Sequence, residues 1–324
     1  MTTPLVSILV PVYNRQHVLR ETIASAQAQT YPSIEIVVVD NCSTDASWDI
    51  IQELASADAR VRAYRNDSNV GPVGNWARCF EVARGTYGKI LFSDDLLFPD
   101  AVQRYMADMA DDVSFVFSAA TIGERPDAAA VTYQWRPGSG KYPSQAFIHD
   151  ALLGNDTPVS PCAALFRMAD LKRHLHGCLP GTKLDFSGHG AGPDVLLYLL
   201  TAIEYPMVAF INAPLVYFRA HPGSLSVSAA TSKKVTQAYC KTKVWFGNRY
   251  PRVVNLDQLV ARAWLNYLSV DDGTARFHDF YSDIGNSYQG KVMIVHLLRF
   301  YYFVRAKLGS IKRLVFNRPA HDTP

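Results

Sequence analysis

Ile34–Val39 (IEIVVV) is six residues long, all but one of them apolar, and ends in Asp40. A run that short and that apolar reads as a strand buried on both faces, which places it inside a parallel sheet with helices on either side. Its neighbours obey the same grammar. Ser7–Val12 (SILVPV) is a second such run, broken by Tyr13-Asn14-Arg15. Val18–Ala28 then keeps helical spacing through residues 18, 19, 23 and 26. After Asp40, Trp48, Ile51, Leu54 and Ala55 mark a second helix. Val61–Arg65 reads as a short strand, Asn66–Gly74 as a turn-rich loop and Asn75–Ala83 as a third helix. Gly85 closes that helix before Lys89–Pro99 (KILFSDDLLFP). Four strands alternating with three helices in under a hundred residues is βαβ organisation.

The fourth run carries chemistry. Ile90-Leu91-Phe92 leads into Asp94 and Asp95, two adjacent carboxylates that repel unless a cation or hydrogen-bond donors sit between them. Open α/β sheets hold ligands at the carboxyl ends of their strands. Oxygen ligands there suit Mg²⁺ or Mn²⁺, which keep positions open for phosphate oxygens. The structural alternative is an Asp-Asp cap on the helix that Pro99 opens. Tyr13 and Asp40 end two neighbouring strands. A ring there can stack on a base, and a carboxylate can accept hydrogen bonds from base or ribose. Each also reads as a packed turn aromatic or a helix cap when taken alone.

Past Asp95 the pattern loosens. Pro99–Met109 reads as a helix and Val113–Ser118 as a strand, while residues 121–145 read as a long surface excursion rich in Gly and Pro. Ala163–Phe166 reads as a strand. Gly177–Pro193 contains five glycines and runs into a helix over Asp194–Ala202. Val208–Ile211 and Leu215–Phe218 are expected strands, and Arg219-Ala220-His221 follows them. From Ser232 on, helical periodicity dominates. These boundaries give an α/β unit over 1–228 and a helical region over 229–324.

Several classes of protein are disfavoured. The first βα turn lacks G-x-G-x-x-G, and the chain has no G-x-x-x-x-G-K-[ST], which argues against dinucleotide oxidoreductases and P-loop NTPases. Of 324 residues, 48% are apolar and 19% charged, so the chain is globular rather than disordered. A net charge of +3 is too small to indicate nucleic acid. Five cysteines without C-x-x-C spacing favour reduced thiols. Met1–Leu5 lacks the basic and apolar segments of a signal peptide, and Val195–Ile211 is broken by Glu204 and Pro206, so a cytoplasmic chain is expected.

The succession SILVPVYNR, IEIVVVDNCSTD and NVGPVGNWARCFEVARGTYGKILFSDD resembles the family 2 glycosyltransferases of GT-A fold, over roughly residues 5–228. The resemblance implies a GT-A-like, mostly parallel sheet flanked by helices, with a C-terminal helical extension. It implies a nucleotide-sugar donor held by the Val12-Tyr13-Asn14 turn and Asp40 near the base, with Asp94 near the ribose. Asp95 would hold Mg²⁺ or Mn²⁺. Arg219-Ala220-His221 resembles the family's Arg-x-His, which would bring His221 to the metal and Arg219 to the donor phosphates. The catalytic base falls at Asp194, in the place of a Glu-Asp motif whose Glu is missing, with Asp185 as competitor. A helix N-terminus there should favour ionised Asp194 and limit its basicity. The loop written Asp-Asp-Gly-Ser-Thr-Asp in many members is Asp40-Asn41-Cys42-Ser43-Thr44-Asp45 here.

The implied reaction is inverting transfer to a glycan or lipid-linked glycan acceptor, as in bacterial surface polysaccharide or glycolipid assembly. The rivals are a sugar nucleotidyltransferase, whose basic Gly-rich first loop is represented only by Arg15, and a non-catalytic nucleotide- or glycan-binding module. Lys291–Arg318 holds seven Lys or Arg and no acid, with apolar residues at helical spacing. It reads either as a helix seated on an anionic membrane, making the protein peripheral, or as a core-packing helix with a solvated basic face.

Overall fold

The computed structural model describes residues 3–154, 157–221, 233–271, 276–281 and 284. Its opening half follows the alternation of the sequence. β1 (Val6–Val12), β2 (Ile34–Asp40), β3 (Val61–Arg65) and β4 (Tyr87–Ile90) are parallel, in the spatial order β3-β2-β1-β4. They are joined by α1 (Leu19–Gln27), α2 (Ser47–Ala57) and α3 (Gly71–Val82). Because side chains alternate along a strand, β1 feeds two cores. Ile8, Val10 and Val12 point into an apolar layer with Ile23 of α1 and Ile51 of α2, whereas Leu9 joins Trp76 and Phe80 of α3 on the other face.

The rest of the sheet departs from the sequence reading. β5 (Leu96–Leu97) follows the acidic pair and α4 (Ala101–Asp108) follows β5. β6 (Val113–Gly123) runs five residues past the expected end. The expected surface excursion over 121–145 instead adds to the sheet. β7 (Ala130–Thr132) folds back on β6, and β8 (Gly140–Pro143) pairs antiparallel with a later strand. α5 (Ser144–Leu153) and β9 (Ala164–Arg167) come next, β9 lying antiparallel between β4 and β6. α6 (Met168–His174) and α7 (Pro193–Ala202) cover the Leu9 face.

The two strands expected at 208–211 and 215–218 are one, β10 (Met207–Arg219). Its ladder to β6 slips around Ile211–Val216, where Pro214 cannot donate. The third helix begins four residues before Asn75, because Gly71-Pro72 starts it rather than closing the loop.

α8 (Lys233–Arg249), α9 (Leu256–Leu268) and α10 (Phe277–Tyr281) continue the helical region. Their Val244, Phe246, Leu259 and Trp264 belong to the same buried cluster as Leu196 and Leu199 of α7. The basic stretch 291–318 lies outside the described residues. Among those described, no helix is long and apolar enough to cross a membrane. All five cysteines are free thiols.

Candidate functional site

A cavity of about 870 Å³ opens at the carboxyl edge of the parallel strands. One wall is the turn after β1, with Val12, Tyr13 and Arg15. A second is Ser93-Asp94-Asp95, and a third is Phe218-Arg219-Ala220 at the end of β10. The parallel ladder explains the convergence: Val12 is the register partner of Asp40, and Leu9 that of Ile90. All these strand ends reach one edge. The acids stand four and five residues beyond the β4 ladder rather than at its tip, in a turn closed by the Asp95 N–H donating to Phe92 O at 3.0 Å.

Asp95 is nearly enclosed. Its Oδ1 accepts the Arg219 backbone N–H at 3.1 Å, and the Cys162 thiol donates to the same carboxylate. Burial and the neighbouring Asp94 charge hold its pKa well above the usual carboxylate range, against the pull of those donors and of Lys89. Lys89 is itself fully buried, donating to Ile90 O at 2.9 Å and to Cys162 O, and burial depresses its pKa. Asp94 is more open. Its Oδ2 lies 3.4 Å from Arg15 Nε and 3.0 Å from His221 Nε2. His221 is therefore seated on Asp94, the neighbour of the acid expected to hold the metal.

The remaining expected donor residues divide. Tyr13, 41% exposed, stands at the cavity rim. Asp40 is fully buried, its Oδ2 accepting from Ser43 N–H at 3.1 Å and lying 3.1 Å from Arg65 Nε. Its Oδ1 has no hydrogen-bond partner, and Asp40 does not reach the cavity surface, where its neighbour Asn41 stands instead. Asn14 takes a left-handed conformation (φ 52°) and turns its Oδ1 to the Thr44 N–H at 2.9 Å, joining the β1 and β2 turns instead of facing the cavity. Arg219 donates from Nη2 to Glu21 at 2.6 Å and from Nε to Asp94 O at 3.1 Å, so its guanidinium is committed to the protein.

Asp194 sits in the first turn of α7, after Pro193. Its Oδ1 accepts the N–H groups of Gly192 and Val195 at 3.0 and 2.7 Å, and its Oδ2 accepts the hydroxyl of Tyr239 from α8. The helix terminus was expected to limit its basicity. Burial outweighs those three donors, and the pKa is pushed up to about 6. Asp185 is exposed, and the Ser187 backbone and hydroxyl hold its pKa down. Tyr133, from the segment after β7, lines the cavity. Burial lifts its pKa to about 12, and the charges of Asp194 and Asp95 both add to that rise. Tyr133 is thus within electrostatic reach of both carboxylates.

Other participants were not legible from the sequence. Asn75 of α3 donates to Val39 O at 3.1 Å and Val12 O at 3.4 Å, tying two strand ends to one helix. Asn41 accepts from Val70 N–H and Asn66 Nδ2 at 3.0 Å each, and donates to Asn69 Oδ1 at 2.8 Å. Asn41, Asn69 and Asn75 all line the cavity. The N-rich run Asn66–Asn75 was a signal, read only as turn chemistry.

This sheet, with its carboxyl-edge cavity and paired acids, is a GT-A fold. The chain belongs to glycosyl transferase family 2, whose sequence profile matches residues 7–175. It is similar to an uncharacterised glycosyltransferase of Haemophilus influenzae, 36% identical over 33% of this chain and 42% of that one. It is also similar to the UDP-Glc:alpha-D-GlcNAc-diphosphoundecaprenol beta-1,3-glucosyltransferase WfaP of Escherichia coli, 38% identical over 28% of this chain and 36% of that one. These alignments span well under half of the relatives' lengths. Staphylococcus aureus TarS 1-349 in complex with UDP-GlcNAc superposes with a TM-score of 0.56 at 14% identity, over 90% of this chain and 79% of that one. The mannosyltransferase PcManGT of Pyrobaculum calidifontis, in complex with GDP-Man and Mn²⁺, superposes with a TM-score of 0.52 at 15% identity, over 98% and 89%.

Proposed function

We propose that this chain is an inverting glycosyltransferase, moving a sugar from a nucleotide-sugar donor to an acceptor hydroxyl in surface polysaccharide or glycolipid assembly. The observation that carries the reading is one cavity bordered at once by a base-sized aromatic rim and an acidic pair, with Asp194 behind the wall that Tyr133 forms, within electrostatic reach of that ring. The volume of about 870 Å³ lies in the range of ligand pockets. Tyr13 at the rim suits the base, with Asp94 toward the ribose and Asp40 acting near the base from behind Asn41 in the cavity wall.

Mg²⁺ or Mn²⁺ is the ion for this donor set. Asp95 and Asp94 offer hard oxygens and His221 an imidazole nitrogen, and the pKa of Asp95 is raised first by burial and then by the Asp94 charge, a repulsion that a cation would relieve. Such an ion supplies Lewis-acid stabilisation of a departing diphosphate. The chain's own residues do the rest. Arg15 adds positive charge beside Asp94. Asp194 accepts the acceptor's proton, from a segment other than the one holding the diphosphate, as displacement from the opposite face requires. Its pKa of about 6 leaves it ionised at neutral pH yet more basic than an exposed Asp. Tyr239 orients it.

We assign donor binding to 1–228 and to 229–324 the role of completing the base site. WfaP's name gives a UDP-Glc donor and a diphosphoundecaprenol acceptor, and a lipid-linked acceptor with a membrane-surface location suits the basic tail here. Purified protein incubated with a panel of UDP-, GDP- and dTDP-sugars plus Mn²⁺ should slowly hydrolyse one of them and not the rest. Binding without any hydrolysis would favour a binding module, and pyrophosphate-dependent formation of nucleoside triphosphate would favour a nucleotidyltransferase.

A further inference from the structure

The edge of the sheet opposite the cavity carries a second cluster. β9 enters antiparallel to β4 with Arg167 opposite Tyr87, so α6 starts beside the first residues of β4, away from the acidic pair. Asp170 and His174 are four residues apart on α6 and share one face. α7 leads away from Asp194 for about 15 Å, at 1.5 Å per residue, and the turn after it brings Glu204 to that face. One ligand atom from each of Asp170, His174 and Glu204 lies within 4.8 Å of the other two.

Two of the three residues are buried, and Glu204 is exposed. Asp170 is 1% exposed and His174 6%. His174 Nε2 has no hydrogen-bond partner, although it lies 3.3 Å from Glu204 Oε1. Both carboxylates are gripped through a single oxygen. The Tyr205 hydroxyl donates to Asp170 Oδ2 at 3.0 Å, and Arg173 donates to Glu204 Oε2 at 2.7 Å. Outer partners of this kind fix the ligands of metal sites. Ligands of a tetrahedral ion with bonds of 2.0–2.2 Å stand about 3.4 Å apart, close to the His174–Glu204 separation. No local spacing marks His174 as a ligand, because its partners come from 4 and 30 residues away, on α6 and in the turn after α7.

We propose that Asp170, His174 and Glu204 form a divalent transition-metal site, with Zn²⁺ as the best-matched ion. An imidazole nitrogen with two carboxylate oxygens favours Zn²⁺ over Mg²⁺, and a water would complete the four ligands. The ion clamps the end of α6 to the end of α7, the helix that presents Asp194 at its other end. Its place is distinct from the donor cavity.

The test uses the full, untagged chain carrying Asp95→Asn, which removes the donor-side acid from the count. After chelator treatment and dialysis, Zn²⁺ is added alone and the bound metal is measured by equilibrium dialysis. One equivalent should bind. Glu204→Gln, at an exposed position where the fold should stay intact by circular dichroism, should weaken that binding at least tenfold, and His174→Gln should abolish it. Co²⁺ in the same chain should give the absorption of a tetrahedral N/O site. Failure of the folded Asp95→Asn chain to bind Zn²⁺ overturns the proposal. So does unchanged affinity in Glu204→Gln, or a thiolate-to-Co²⁺ charge-transfer band, which would place the ion on cysteine.

Discussion

At the scale of single residues, Asp194 makes the sharpest claim. Its Oδ1 caps backbone N–H groups, which asparagine can also do, so Asp194→Asn should fold and bind donor while transfer falls about 10²-fold or more. The unmodified chain should lose activity as pH falls through about 6, because the protonated acid cannot accept a proton. Tyr239 donates to the ionised form and lowers its pKa, so Tyr239→Phe should move that acidic limb upward. A larger activity loss at pH 6 than at pH 8 in Tyr239→Phe is the signature. A pH profile unmoved in Tyr239→Phe, or near-normal turnover in Asp194→Asn with loss in Asp185→Asn, would give the role to another group.

Cys42 offers a test of stability at the same scale. It occupies the left-handed region (φ 61°), a conformation that glycine adopts freely, and its Sγ reaches Asp67 O at 3.9 Å. A side chain there costs about 1 kcal/mol that glycine avoids. Cys42→Gly should raise the melting temperature by about 2 °C with donor affinity unchanged. A lower melting temperature would mean that the thiol contact outweighs the backbone strain.

At the scale of elements, β1 to β4 were legible because a doubly covered parallel strand needs nothing but its own apolar run. β7, β8 and β9 were not. Ala130–Thr132 and Gly140–Pro143 carry little pattern of their own, and their places are set by pairing with β6 and by a ladder to β10 some 67 residues away. The site divides on the same line. Asp94, Asp95 and Tyr13 follow strand ends and could be read locally. The Tyr239–Asp194 bond spans 45 residues and two helices, and nothing near either residue announces it. Gly71 shows how closely such elements meet. It has φ 77°, and a Cβ there would stand 2.5 Å from Ser187 O, in the loop leading to Asp194. Gly71→Ala should destabilise the protein by at least about 2 kcal/mol and push that loop off α3. Denaturant unfolding measures the first effect and donor affinity the second, and a neutral substitution would show that the loop moves freely there.

At the scale of the whole molecule, the helical region and the sheet share one buried cluster, so Val244 and Trp264 stand in the same core as Leu9 and Phe80. The basic stretch beyond it is a separate matter, outside the described residues. Lys291–Arg318 holds seven cationic side chains and no acid, with Ile294, Leu297, Leu298 and Tyr301 at helical spacing. Each basic residue near an anionic surface is worth about 1 kcal/mol, and the attraction decays within a Debye length. Even half of them in contact would hold the protein on vesicles at low ionic strength and release it at high salt. Full-length protein should therefore sediment with phosphatidylglycerol vesicles in 50 mM salt and stay in the supernatant in roughly 0.5 M. A chain ending before residue 291 should stay in the supernatant at both. Its circular dichroism and melting temperature decide between the two readings of the stretch. A membrane-seated helix leaves the melting of the truncated chain unchanged. A helix packed on the fold lowers it and leaves vesicle binding of the full chain weak at either salt, and that outcome would remove the membrane from the account of this protein.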